Sequence, residues 1–184
     1  MDKGWSARQA GWVLSSGAIF DVVWQIIIAP AILDNHSVEY MPATQRAVSA
    51  IGLLAAAVMT VVGQVILARA LRRTSSGWLV AGAGYAALVG LNVLTVGFLI
   101  QLSVPQFVLP LWVFFFLTSG SWIATSVALI SGGVLRWSAL ASAVLSVLTI
   151  IAIVGAGAPF IVIWAPFVFI ALLPMAAGLT SSPL

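Results

Sequence analysis

The sequence predicts an all-α fold: a polytopic helical membrane protein with six transmembrane helices and both termini cytoplasmic. Three observations lead there. Hydrophobic residues make up 62% of the 184 and charged ones only 6%, with a mean hydropathy of +1.20. A soluble domain carries about a quarter charged residues to cover its surface, and so much aliphatic side chain does not stay solvated as a disordered coil. The apolar residues also fall into runs of about 20, the length that crosses about 30 Å of hydrocarbon as a helix. Finally, most of the few charges sit between those runs rather than within them.

The runs place spans at 10–33, 47–68, 78–101, 110–133, 137–157 and 159–179, forming a single transmembrane bundle over 1–184. The first follows Lys3 and Arg8. It is too long for the apolar part of a secretory leader and is interrupted by Asp21 and Gln25, so it is expected to remain as a span. The second lies between Arg46 and Arg69. No charge occurs over 74–135 or after Arg136, and each of these stretches has room for two crossings. The third and fourth spans are divided at 101–106, where Pro105 beside Gln101 and Gln106 suits a turn. The fifth and sixth are divided at 155–159, where Gly155 and Gly157 end one helix and Pro159 opens the next.

Charge then orients the spans. Six crossings put Lys3, Arg8, Arg69, Arg72, Arg73 and Arg136 on one side and only Arg46 on the other. Basic excess marks the cytoplasmic side, which favours six crossings over five and places both termini inside, with the plasma membrane as the expected location. The arginines thus have a topological role, and no nucleic-acid partner is expected.

Several chemistries are excluded. The chain has no cysteine, so thiol exchange and thiolate metal sites are out. Its single histidine, His36, excludes paired-imidazole haem and multi-histidine copper or di-iron centres. Lys3, the only lysine, precedes the first apolar run and cannot hold a retinal-type Schiff base within the membrane. Asp34, His36 and Glu39 gather in the outer loop, but a metal needs further ligands and a second shell. A solvated loop attracted to Arg46 is the expectation, with no metal and no cofactor. A hydrolase would require a Ser–His pair or two aspartates at depth. Only one acid lies there, so no catalytic residues are expected and the chain is not read as an enzyme.

That acid is Asp21, near the middle of the first span, where a carboxylate costs about 2.5–3.5 kcal/mol on insertion scales. Gly17, Asp21 and Gln25 follow at i, i+4 and i+8 along one helical face. With no Lys or Arg at matching depth, Asp21 is expected to be protonated or held by neutral donors. Candidate donors are Asn92 and Thr95 of the third span, Gln64 of the second, and Thr118, Ser119, Ser121, Trp122, Thr125 and Ser126 of the fourth. Ser138, Ser142, Ser146 and Thr149 form a stripe on the fifth, expected to serve helix packing. The sixth carries no polar side chain and is expected to face lipid widely, bent at Pro166.

Asp21, Gln25, Asn92, Trp122 and Thr125 are therefore the candidate substrate-binding residues. Few fixed charges and several aromatics, Trp24 and Trp122 among them, suit a small neutral or cationic, partly apolar solute. The expected role is a transporter or a membrane-embedded solute-binding component. The alternative is a non-catalytic structural or assembly subunit among partner membrane subunits, in which the polar set only holds helices together.

Overall fold

The computed structural model describes residues 6–34, 42–72, 74–103, 111–133, 135–156 and 161–181. Among them every regular element is a helix: α1 (Ala7–Asp34), α2 (Ala43–Leu71), α3 (Gly77–Ser103), α4 (Leu111–Ser131), α5 (Arg136–Ala156), α6 (Ile161–Ile170) and α7 (Leu173–Ser181). The first five are long and apolar enough to cross a membrane. Helices satisfy their own backbone groups, which is why segments this apolar adopt no other form in lipid.

Local chemistry fixes the ends. Ser6 and Gln9 open α1 as a reciprocal cap. The Gln9 N–H donates to Ser6 Oγ at 3.2 Å, and the Ser6 N–H donates to Gln9 Oε1 at 2.9 Å. Thr74 closes α2 by donating its hydroxyl to the Leu71 carbonyl at 2.7 Å. Ser76 ties the α2–α3 turn to the end of α4 through the Ala128 carbonyl at 3.0 Å. Gly133 ends α4 with φ 71°, a backbone shape that favours glycine.

Each long helix packs on the next, and the α6–α7 arm returns to lie between α5 and α1, closing a ring. α1 against α2 is the most extensive pair, and glycines bring it close. A Cβ on Gly17 would stand 3.0 Å from Met59 Cβ, one on Gly63 would meet Leu14, and one on Gly52 would overlap the Trp24 indole. The register is antiparallel, which sets the N-terminal end of α1 beside the C-terminal end of α2. Exposed Arg8, Arg69, Arg72 and Arg136 consequently gather at one end of the bundle. Trp12, Trp78 and Trp137 lie just beyond them, 58%, 74% and 80% exposed. Amphipathic indoles favour that depth at a membrane–water boundary.

The last span departs from expectation. Instead of one bent helix over 159–179, α6 and α7 are separated by a break at Ala171–Leu172. Nor does this arm face lipid widely: Val168, Phe169, Ala171, Leu172, Met175, Ala176 and Leu179 are all buried. A helix without polar side chains packs as readily inside a membrane bundle as outside it, so the absence of polarity carries no facial information. The break has a covalent cause: Pro174 has no N–H to give the Ile170 carbonyl, whereas Pro166 lies within α6.

Gly11 lets α1 approach the arm closely. A Cβ there would lie 2.7 Å from Leu179 Cβ, 2.7 Å from Thr180 N and 2.9 Å from the Ala176 carbonyl oxygen. Two of those atoms are backbone and cannot yield. Gly11→Ala should therefore destabilise the protein by about 1–3 kcal/mol, the usual cost of overpacking. Gly82→Ala, where nothing lies within 4 Å, should be neutral or stabilising by up to about 1 kcal/mol. Thermal unfolding of both variants in detergent checks the pair.

Candidate functional site

Polar side chains collect inside the ring. Asp21, Gln25, Thr60, Gln64, Thr118, Ser119, Ser121, Thr125, Ser126, Ser142, Ser146 and Thr149 are all buried. On α1, Gly17 and Trp24 face α2 and Gly11 faces α7. At 100° per residue Asp21 points between those two directions, into the interior, and no part of it is exposed. Gln25 donates from Nε2 to Asp21 Oδ1 at a long 3.5 Å, the pairing expected from their i, i+4 spacing. The second oxygen, Oδ2, is buried and has no hydrogen-bond partner among the described residues.

On α4, Thr125 turns toward α2 and Ser126 toward α7. The Thr125 hydroxyl lies 3.3 Å from Gln64 Oε1 and 2.8 Å from the Ser121 carbonyl. Ser126 Oγ lies 3.8 Å from Met175 Sδ. Trp122 projects between those directions, fully buried, and its indole Nε1 has no partner among the described residues. α1 and α4 run in opposite senses, and side chains lean toward the N-terminus of their own helix. Asp21 and Trp122 both turn to the interior, one from α1 and one from α4. Gln64 Nε2, a second buried donor without a partner among the described residues, lies toward the basic end.

Of the five expected site residues, Asp21 and Gln25 are bonded to each other, and Trp122 and Thr125 line the same interior from α4. Asn92 is a correction. It is exposed on the outer face of α3, with Nδ2 donating to its own helix at the Leu88 carbonyl, 2.9 Å away. Tyr85, 72% exposed, shares that outward face. The inference from depth was sound only along the membrane normal; it did not fix rotation about the helix axis. Thr95 likewise bonds its own helix, at Leu91.

The structure also places the remaining polar and aromatic residues named from the sequence. The α5 stripe lies against α7, and Ser142 Oγ accepts the Met175 N–H at 2.9 Å. That donor belongs to the first turn of α7, where no helical carbonyl reaches it. Ser119 and Ser146 are completely buried, with hydroxyls that have no partner among the described residues. Trp24 stacks on Phe20 at 6.0 Å and presses on Gly52. Pro166 alone predicts a bend in one continuous helix; Pro174, eight residues on, is the sequence signal for a break. The expected outer-loop residues His36 and Glu39 lie outside the described residues, as do the side chain of Gln101 and residues 104–110 and 157–160. Among the described residues no three of His, Cys, Asp and Glu come together as a metal site.

Ser142 replaces a missing helical acceptor, so Ser142→Ala should leave a buried N–H unsatisfied, at about 1–3 kcal/mol. Amide hydrogen exchange at Met175 should accelerate more than at Leu179, one turn further on. Unchanged protection at Met175 would show that the hydroxyl does not hold the break.

Comparison of the chain with protein-family models, with curated proteins and with solved structures finds no match of any of the three kinds.

Proposed function

We propose that this chain is a six-pass plasma-membrane protein, one bundle with α6 and α7 together forming the last crossing and both termini cytoplasmic. In this proposal its interior binds a small neutral or cationic, partly apolar solute, for transport or as the membrane-embedded binding component of a transporter. One observation carries the reading: Asp21 is wholly buried and its Oδ2 has no hydrogen-bond partner among the described residues, as is also true of the buried Trp122 indole nitrogen. An intramembrane acid facing a bundle interior is a functional-site hypothesis by default. Unpartnered donors and acceptors in a dry interior match a ligand that supplies their complements. A donor or cationic head would meet Asp21, an acceptor would meet Trp122 or Gln64, and an apolar body would lie against the aromatics. The proposal includes no catalytic step and no cofactor.

The orientation draws on the basic residues and exposed tryptophans at one end. The lack of native cysteines makes it directly testable. In intact cells, a membrane-impermeant maleimide should label Thr44→Cys and leave Ser75→Cys and Ser181→Cys unlabelled until permeabilisation. The reverse pattern would invert the protein, and opposite results for Ser75→Cys and Ser181→Cys would indicate an odd number of crossings between them.

For the binding role, a solute that raises the melting temperature of the purified protein should lose that effect in Asp21→Asn. Uptake should fall at least tenfold, the scale of one charge-assisted hydrogen bond. Binding and uptake untouched by Asp21→Asn would refute the assignment.

The outer face of α3 favours a second reading. Tyr85 and Asn92 lie exposed at positions a bilayer would cover, and polar groups there are best met by another helix. An assembly subunit would present such a face. Cross-linking from an introduced cysteine at Val96 in native membranes should then capture a partner, while purification of the chain alone would count against it.

A further inference from the structure

We infer that the break between α6 and α7, together with Asp21, forms a binding site for a monovalent alkali cation. The inference rests on the proposed role of Asp21 as an interior binding group and adds the identity of one ligand. Contacts fix which residues share the level of the break. Gly11 lies opposite Leu179 on the antiparallel α7. Ten residues further along α1, Asp21 comes opposite Phe169. Its carboxyl group leans toward the start of α1, hence toward Ile170 and Ala171. On α5, Ser142 holds the Met175 N–H, so Ser146, one turn on, comes opposite Ala171. On α4, parallel to the arm, Ser126 meets Met175, so Ser119, two turns earlier, comes opposite Val168.

The break frees oxygen atoms at that level. Four residues after Ile170 stands Pro174, which has no N–H to give its carbonyl. Four residues after Ala171 stands Met175, whose N–H is taken by Ser142. Leu172 donates to the Phe169 carbonyl at 3.1 Å rather than to that of Val168. The last turn of α6 therefore presents carbonyl oxygens carrying the negative end of its dipole. At the same level by this register are Asp21 Oδ2 and the fully buried hydroxyls of Ser119 and Ser146, all three without a partner among the described residues.

Carboxylate, carbonyls and hydroxyls make an all-oxygen set with one formal negative charge. Broken membrane helices use unwound carbonyls and half-helix C-terminal ends to hold sodium in this way. A single charge matches a monovalent ion, whereas divalent ions are usually held by several carboxylates, and no second acid lies at this depth. A bound cation would also supply the counter-charge that a buried carboxylate requires.

The test is melting of the purified full-length protein in detergent with sodium, potassium or lithium chloride against N-methyl-D-glucamine chloride at equal ionic strength. At least one alkali cation should raise the melting temperature saturably. Pro174→Ala restores a donor for the Ile170 carbonyl, and Ser146→Ala removes a hydroxyl. Each should raise the half-saturating concentration about tenfold, while Asp21→Asn should abolish the shift. Cooperative melting of each variant in N-methyl-D-glucamine confirms that it is folded. Equal melting temperatures in all four salts, or a cation shift that survives Asp21→Asn, overturns the inference. The two proposals fail separately: a solute shift without a cation shift removes only the ion, and a cation shift without any Asp21-dependent solute effect removes only the solute.

Discussion

In hydrocarbon every backbone N–H and C=O needs a partner from the protein itself, and the architecture follows from that constraint. Five long continuous helices meet most of it internally. The α6–α7 arm does not, and it lies between α1 and α5 with α7 deeply buried. Irregular backbone at membrane depth is tolerated only where protein or a wet cavity surrounds it. The arm with the weakest claim to polarity in its side chains is thus the one with the most polar backbone, and Ser142 of α5 supplies what its first turn lacks.

Close packing around the arm depends on small residues. Gly11 lets α1 touch the α7 backbone, and Gly17, Gly52 and Gly63 let α1 lie against α2. These contacts fix the rotation of α1 about its axis and hence the direction of Asp21. Were α1 turned by a third of a revolution, the carboxyl group would meet acyl chains at a cost of several kcal/mol. Glycines on one face and an acid beside them therefore act as one device: the first make the approach possible, and the second forbids the alternatives.

Much of this was legible in the sequence, and the limits have a physical origin. Helices α1 to α5 lie close to the expected spans because length and apolarity are what a bilayer selects. Among the described residues Arg8, Arg69, Arg72 and Arg136 share one end, the grouping expected of them. The burial of Asp21 and Gln25 was legible because charge and amide are costly in lipid. Facial direction was not legible for uncharged residues: in a soluble helix the apolar stripe marks the core, but here both faces are apolar. Asn92 was expected inside and lies outside, bonded to its own helix, and the sixth span was expected outside and lies inside. The Ser6–Gln9 cap was readable from spacing alone. The register that sets Ser119 and Ser146 level with Asp21 arises only from tertiary contacts.

The satisfied and unsatisfied polar groups divide in a way that packing alone does not explain. Thr60, Ser121, Thr125 and Thr149 donate to carbonyls three or four residues back on their own helices. Hydroxyls used this way cost little and let helices approach, so they account for the bland part of the interior. Asp21 Oδ2, Gln64 Nε2, Ser119 Oγ, Trp122 Nε1 and Ser146 Oγ are different: buried, and without partners among the described residues, as is Trp24 Nε1 at the α1–α2 contact beside Gly52. Each such group costs about 1–3 kcal/mol. A purely structural interior would replace most of them with alanine, leucine or phenylalanine at no loss of packing. Five of them lie on the helix faces turned to the interior, beside a helix break that frees further oxygen atoms, and the proposed binding site draws on that arrangement.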